Sequence, residues 1–267
     1  MSSRKLPTHF EIKSRLEPLQ MHERLSIVLT PLFTIVLYFL FFKLGCFFCA
    51  FLAICYLSFV TYGSCCHDLV HANFGFSRKL CDFWLSLIEL LMLRSGTTYR
   101  FTHLIHHQRY PDFENDPEGR ASFYSLIRTL LEGPIFHIRL VVFSLKHAPR
   151  KDQKRITLEI SLILFLWCDG ILLRRSFPAL LIYEILVTLG SWLIPLITSY
   201  LVHTPHEADI LKQTKIFRGW YYRMISLDHL YHLEHHLYPQ VPHCRWHALS
   251  KILDPYLVPT QTRHVET

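Results

Sequence analysis

Two pairs of long apolar runs, each pair joined by a very short turn, constrain this chain more than anything else in it. Residues 25–42 carry no formal charge, and 44–66 repeat the pattern after the single Lys43. The second pair covers 156–173 and 179–202, with Arg174, Arg175, Ser176, Phe177 and Pro178 between them. Each run reaches the roughly 18–20 residues a helix needs to cross a hydrocarbon core. Turns this short make each pair an antiparallel helical hairpin. A content of 51% hydrophobic against 18% charged residues is too apolar for an ordinary soluble domain. The expected fold is an all-α membrane protein with four transmembrane helices in two hairpins.

Two hairpins return the chain to its starting side, so the N-terminus, residues 63–155 and the C-terminus share one face. Of the 28 Lys and Arg, Lys43, Arg174 and Arg175 alone lie opposite. The positive-inside rule makes the basic face cytoplasmic, in a bacterial inner membrane or the endoplasmic reticulum. Anionic lipid then accounts for the net charge of +7. Nucleic-acid binding does not, because the basic residues are dispersed and no basic aromatic module occurs. The first run is too long for a signal-peptide core and is expected to stay as an anchor. The expected organisation is a cytoplasmic segment over 1–24, one membrane domain over 25–258 and a loose tail over 259–267. Glu159, Asp169 and Glu184 interrupt the second pair. Each lies near a helix end, where it is expected to reach headgroups, with Arg174 and Arg175 placed to neutralise Asp169 and Glu184. The eight cysteines form no CxxC repeat and read as small buried apolar residues.

Eight of the 18 histidines fall into three boxes: His67-x-x-x-His71, His103-x-x-His106-His107 and His232-x-x-His235-His236. Residues three and four apart share a helix face, so each box converges on one point. Neutral imidazole is the commonest ligand for zinc, copper, iron and nickel. Eight exceed the four ligands of a tetrahedral zinc. With a ninth donor they suit a pair of ions of larger coordination number. Box one follows the second run, box two lies in the middle segment and box three follows the fourth run. All three therefore belong to a cytoplasmic helical cap.

If helical throughout, residues 44–71 measure about 42 Å, against about 30 Å of hydrocarbon, so box one stands on a stalk above the bilayer. Residues 179–203 overshoot in the same way and bring His203 to that level. His203, on the end of a rigid helix, is the preferred ninth donor; His229, three residues before His232, is the runner-up. His206 follows Pro205, which disfavours helix at Thr204. Residues 80–93 and 123–146, the latter interrupted at Gly133-Pro134, read either as interfacial helices under the site or as packing elements of the cap. A ligating imidazole needs its remote N–H anchored. Asp68, Asp116, Asp228 and Glu234 are the candidates, with Asp116 and Glu234 favoured.

At these residues the chain resembles the membrane fatty-acid desaturase superfamily, whose pattern is HxxxH, HxxHH and (H/Q)xxHH. The resemblance covers about residues 25 to 250 and includes the run His-Leu-Glu-His-His-Leu-Tyr-Pro-Gln-Val-Pro at 232–242. It implies two irons, O2 as co-substrate, and a hydrocarbon chain that is desaturated, hydroxylated or ketolated. It implies nine ligands, with His203 joining the eight box histidines. Where some members bind a water through an Asn one turn earlier, this chain has Ser199. The HxxxH spacing departs from the stearoyl type, and His232 departs from front-end desaturases. The box-two context also resembles carotenoid ketolases, while small bacterial acyl-lipid desaturases are at least as similar. The donor chemistry agrees: all-imidazole sets suit iron among other metals, and O2 activated at non-haem iron cleaves C–H bonds that acid–base chemistry does not. No haem, flavin or dinucleotide motif is present, so electrons are expected from a separate ferredoxin or cytochrome-like donor, acidic to match the basic face. The substrate is an acyl chain or an isoprenoid lipid. Acyl-chain desaturation is the expected reaction, and hydroxylation or ketolation of a carotenoid or other lipid the alternative. A membrane metal transporter or sensor is the non-enzyme alternative.

Overall fold

The computed structural model describes residues 5–222 and 229–257; Asp228 and the 259–267 tail lie outside them. Among the described residues the chain is helical, and its β pairing is one isolated bridge between His203 and Thr214. A short helix α1 (His9–Arg15) starts with a capping box of Thr8 and Glu11. Next come α2 (Met21–Lys43) and α3 (Phe47–Val60), joined by a turn in which Gly45 takes φ 74°. The helix then runs through a π-helical turn, Thr61–Cys65, into α4 (Cys66–His71). Phe47–His71 is thus one 25-residue rod, the stalk expected for box one. Helices α5 (Arg78–Leu91), α6 (Gly96–Arg109) and α7 (Leu126–His147) follow, and α8 (Arg150–Leu172) and α9 (Pro178–Ser191) form a second hairpin. Helices α10 (His232–Leu237) and α11 (Trp246–Leu253) close the chain.

Among the described residues, three helices are long and apolar enough to cross a membrane: Met21–Lys43, Phe47–His71 and Pro178–Tyr200. The run at 156–173 is the later part of α8, whose first turns carry Arg150, Lys151, Asp152, Lys154 and Arg155. The run at 179–202 is not one regular helix. Pro195 lacks an N–H and clashes with the preceding turn, so α9 ends at Ser191 and a π-helical turn, Leu196–Tyr200, carries the chain on. His203 therefore follows an irregular turn rather than ending a rigid helix. Its N–H still reaches the Ser199 carbonyl at 3.2 Å.

Glu159 and Glu184 do not reach headgroups. Glu159 is 4% exposed and accepts from Ser86 Oγ, Ser95 Oγ, Thr97 Oγ1 and the Thr97 N–H at 2.6–3.1 Å. A carboxylate there meets the positive end of α6 and fastens α8 to the helix that carries box two. Glu184 is 1% exposed and packs against Gly170 of α8; Arg174 donates instead to the Ile171 carbonyl. Distance to a helix end, which sequence supplies, does not say which face an acid takes.

Helix α7 runs unbroken across Gly133-Pro134, against expectation. Gly133 lies so close to the Trp192 backbone that no side chain fits there. Thr129, Phe136, Leu140 and Ser144 of α7 point inward, and Ile127, Leu131, Ile135, Ile138 and Val142 lie exposed on its outer face. Helix α5 likewise exposes Leu80 and Phe83. An apolar outer face on a helix too polar to span suits the lipid interface. The cysteines also depart from expectation: Cys46, Cys49, Cys55 and Cys168 face outward, where lipid is the natural neighbour.

Candidate metal centre

The π-helical turn before box one inserts a wider loop, with the Cys66 N–H bonded to the Thr61 carbonyl. π-Bulges of this kind recur at functional sites. Beyond it, α4 presents His67 and His71 on one face. Helix α6 presents His103, His106 and His107 from its last turns, and α10 presents His232, His235 and His236. Nine histidines from these elements and His203 assemble into two neighbouring sets. One holds His67, His71, His103, His107 and His235; the other holds His106, His203, His232 and His236. Within each set one nitrogen per ring lies within 4.8 Å of the others. Most of these rings are buried, and His71, His107 and His236 are partly exposed.

The hydrogen bonds at the remote nitrogens decide what those rings can hold. His106 Nδ1 sits 2.7 Å from Asp116 Oδ2, and His203 Nδ1 sits 3.1 Å from the Ser199 carbonyl. Both oxygens only accept, so both rings carry their proton on Nδ1 and a lone pair on Nε2. Those two Nε2 atoms are 3.1 Å apart. His203 Nε2 is also 3.1 Å from His236 Nε2 and 3.2 Å from His232 Nε2. In the other set His103 Nδ1 faces Glu118 at 3.2 Å, leaving its Nε2 lone pair 3.2 Å from His107 Nε2. His235 Nε2 lies 2.7 Å from His107 Nε2 and 3.0 Å from His67 Nε2. The His106 and His203 lone pairs, held this close in a buried space, repel, and a cation between them would turn the repulsion into ligation; in the other close pairs a cation would take the place of a shared proton. His71 Nε2, buried without a partner, fits the same reading.

Charge state agrees. Burial first, and then the neighbouring imidazoles, hold His107, His203, His232, His235 and His236 well below the ordinary histidine range. They are neutral at physiological pH and offer lone pairs. Burial opposes charge on His106 too, but the Asp116 carboxylate outweighs it and the net shift is upward.

Asp116 faces His106 and also accepts from the N–H groups of Glu118 and Gly119. Asp68 and Glu234 do not contact a box histidine through their carboxylates in the described residues. Asp68 binds His243 Nδ1 at 2.6 Å and the His243 N–H, tying box one to the segment after box three. Glu234 pairs with Arg218 at 2.7 Å. A carboxylate that sequence reasoning missed is Glu118, which faces His103 and also accepts from Tyr62 Oη at 3.1 Å. Its signal was its place two residues after Asp116 in Asp-Pro-Glu. His229 and His206 belong to neither set. His206 is exposed against Phe123.

Phe59, Ile194 and Ile197, with Ser58 and Gly63, line a small, partly open apolar groove. A second small pocket lies against His67, His103, His106 and His232. Tyr62, Thr198 and His229 line both.

Two adjoining polyhistidine sets of this kind could each hold a metal ion. The family model described as fatty acid desaturase matches residues 19–267, and the chain belongs to that family. No curated protein and no solved structure matches it.

Proposed function

We propose that the protein is a membrane di-iron, O2-dependent oxidase of lipid chains that introduces a double bond into a fatty acyl chain. The observation that carries this reading is the pair of lone-pair-crowded imidazole sets at the inner end of an apolar groove. His67, His71, His103, His107 and His235 would hold one iron, and His106, His203, His232 and His236 the other. Iron with O2 supplies the oxidising power that C–H cleavage needs, with electrons from a separate ferredoxin or cytochrome-like donor. The protein's own part is orientation and exclusion. Asp116, Glu118 and the Ser199 carbonyl fix three ring tautomers, and Phe59, Ile194 and Ile197 admit a hydrocarbon while excluding water.

Four spans support this reading better than three. Helix α8 starts against the cap, through Glu159 and Arg155, and α9 follows it after a five-residue turn. Tyr38 Oη, near the end of α2, donates to the Ala179 carbonyl at the start of α9 at 2.9 Å. The start of α9 therefore lies at the far end of the bundle, and the chain reaches it through α8. Termini and boxes then share the basic, cytoplasmic face.

Metal analysis of purified protein should give close to two irons per chain; one zinc and no iron would defeat the proposal. Asp116→Asn and Glu118→Gln should each weaken metal binding by about 10–100-fold, read by competition with a chelator. Lipid profiling of an expressing host separates the reactions. New double bonds in acyl chains support desaturation, whereas oxygenated carotenoids with unchanged acyl unsaturation favour ketolation or hydroxylation.

A further inference from the structure

His229 stands apart from both metal sets yet is built into the wall they share with the groove. It is 3% exposed, its ring lies 5.6 Å from that of His232, and its nearest polar neighbour is the backbone of Gly63, with neither ring nitrogen in a well-aligned hydrogen bond. It lines both the outer groove and the inner cavity. The π-helical turn is shaped around it: a Cβ on Gly63 would fall 2.8 Å from His229 Nδ1, closer than side chains approach. A buried polar group without a well-made hydrogen bond is costly. Phe59, Ile194 and Ile197 offer it none, and neither would a bare hydrocarbon in the groove.

We propose that His229 is a substrate-binding residue that hydrogen-bonds a carbonyl or hydroxyl oxygen carried by the lipid close to the carbon that reacts. This rests on the lipid-oxidase reading and narrows its substrate to a chain bearing oxygen at the inner end of the groove. Thr198, beside His229, does not compete for the role, because its hydroxyl already donates to the Ile194 carbonyl at 2.9 Å. An imidazole both donates and accepts, so it serves a carbonyl through N–H and a hydroxyl through either nitrogen. Gly63 is the positioning partner, since any larger residue there displaces the ring.

The test uses metal-loaded protein in detergent micelles and two probes of equal chain length: laurone, with a mid-chain carbonyl, and tricosane, its alkane. Binding is read from thermal stabilisation across a probe titration. The wild type should prefer laurone by about tenfold, one hydrogen bond's worth. His229→Phe should lose that preference while keeping its metal and its affinity for tricosane, and His229→Gln should recover part of it. Gly63→Ala, which moves the ring without removing it, should also reduce the preference and serves if His229→Phe does not fold. Retained preference in both His229→Phe and Gly63→Ala overturns the inference. So does metal loss in the His229 variants, which would make His229 a ligand. A wild type that holds metal and binds both probes equally overturns this inference and leaves the lipid-oxidase reading standing. One that binds neither probe overturns both.

Discussion

Alanine at His107 or His235 is expected to abolish lipid oxidation while leaving the protein inserted and folded. The two Nε2 atoms are 2.7 Å apart, and His235 also faces His67 Nε2 at 3.0 Å. Either truncation removes a donor that the rest of the set cannot replace. Groups that merely orient a ligand cost about 10–100-fold when lost, so loss of a ligand should exceed 100-fold. Product yield per chain, with iron content and circular dichroism on the same samples, provides the check. His203→Ala should behave in the same way. His206→Ala, at an exposed ring, should stay within about 0.5 kcal/mol of wild-type stability and keep its activity. The reverse order between His203 and His206 would remove His203 from the centre.

The second large effect concerns Arg94, which lies between the helices that bring box one and box two together. It bonds Glu89 through Nε at 2.6 Å and Nη2 at 3.0 Å. It also reaches Thr61 in the π-helical turn at 3.2 Å and Ser191 at the end of α9 at 3.3 Å. Both charged side chains are almost wholly buried, with 2% and 0% of their surface exposed. Removing one partner leaves an uncompensated buried charge, which costs about 3–5 kcal/mol. Arg94→Met should therefore lower unfolding stability in detergent by about that much. The double variant Glu89→Leu, Arg94→Met should recover most of it, because a buried ion pair and a well-packed apolar pair are often close in stability. A single variant as stable as wild type would show that the buried ion pair adds nothing net to stability. Loss of iron from Arg94→Met at temperatures where it stays folded would show that this junction also sets the approach of His67 to His103.

What could be read from the chain alone was whatever repeats at short range. The length of an apolar run decides whether a helix can cross lipid, and the helices at 21–43 and 47–71 follow from it. A spacing of three or four residues decides that two imidazoles share a helix face, and the three boxes follow from that. Position relative to the runs placed every box at one end of the bundle. The division of nine histidines into sets of five and four was not legible in this way. It depends on how α4, α6 and α10 approach one another across separations of more than 30 residues, and no local pattern encodes that approach. The same holds for the carboxylates: Asp68, Glu118 and Glu234 look alike along the chain, yet only Glu118 faces a box histidine, because packing sets which rotamers meet. Glu159 and Glu184 were misplaced for that reason. Secondary structure and its periodicity are local, so sequence specified the elements and the faces they present. The meeting of those faces is a long-range matter of shape and charge, and the tertiary structure alone decided it.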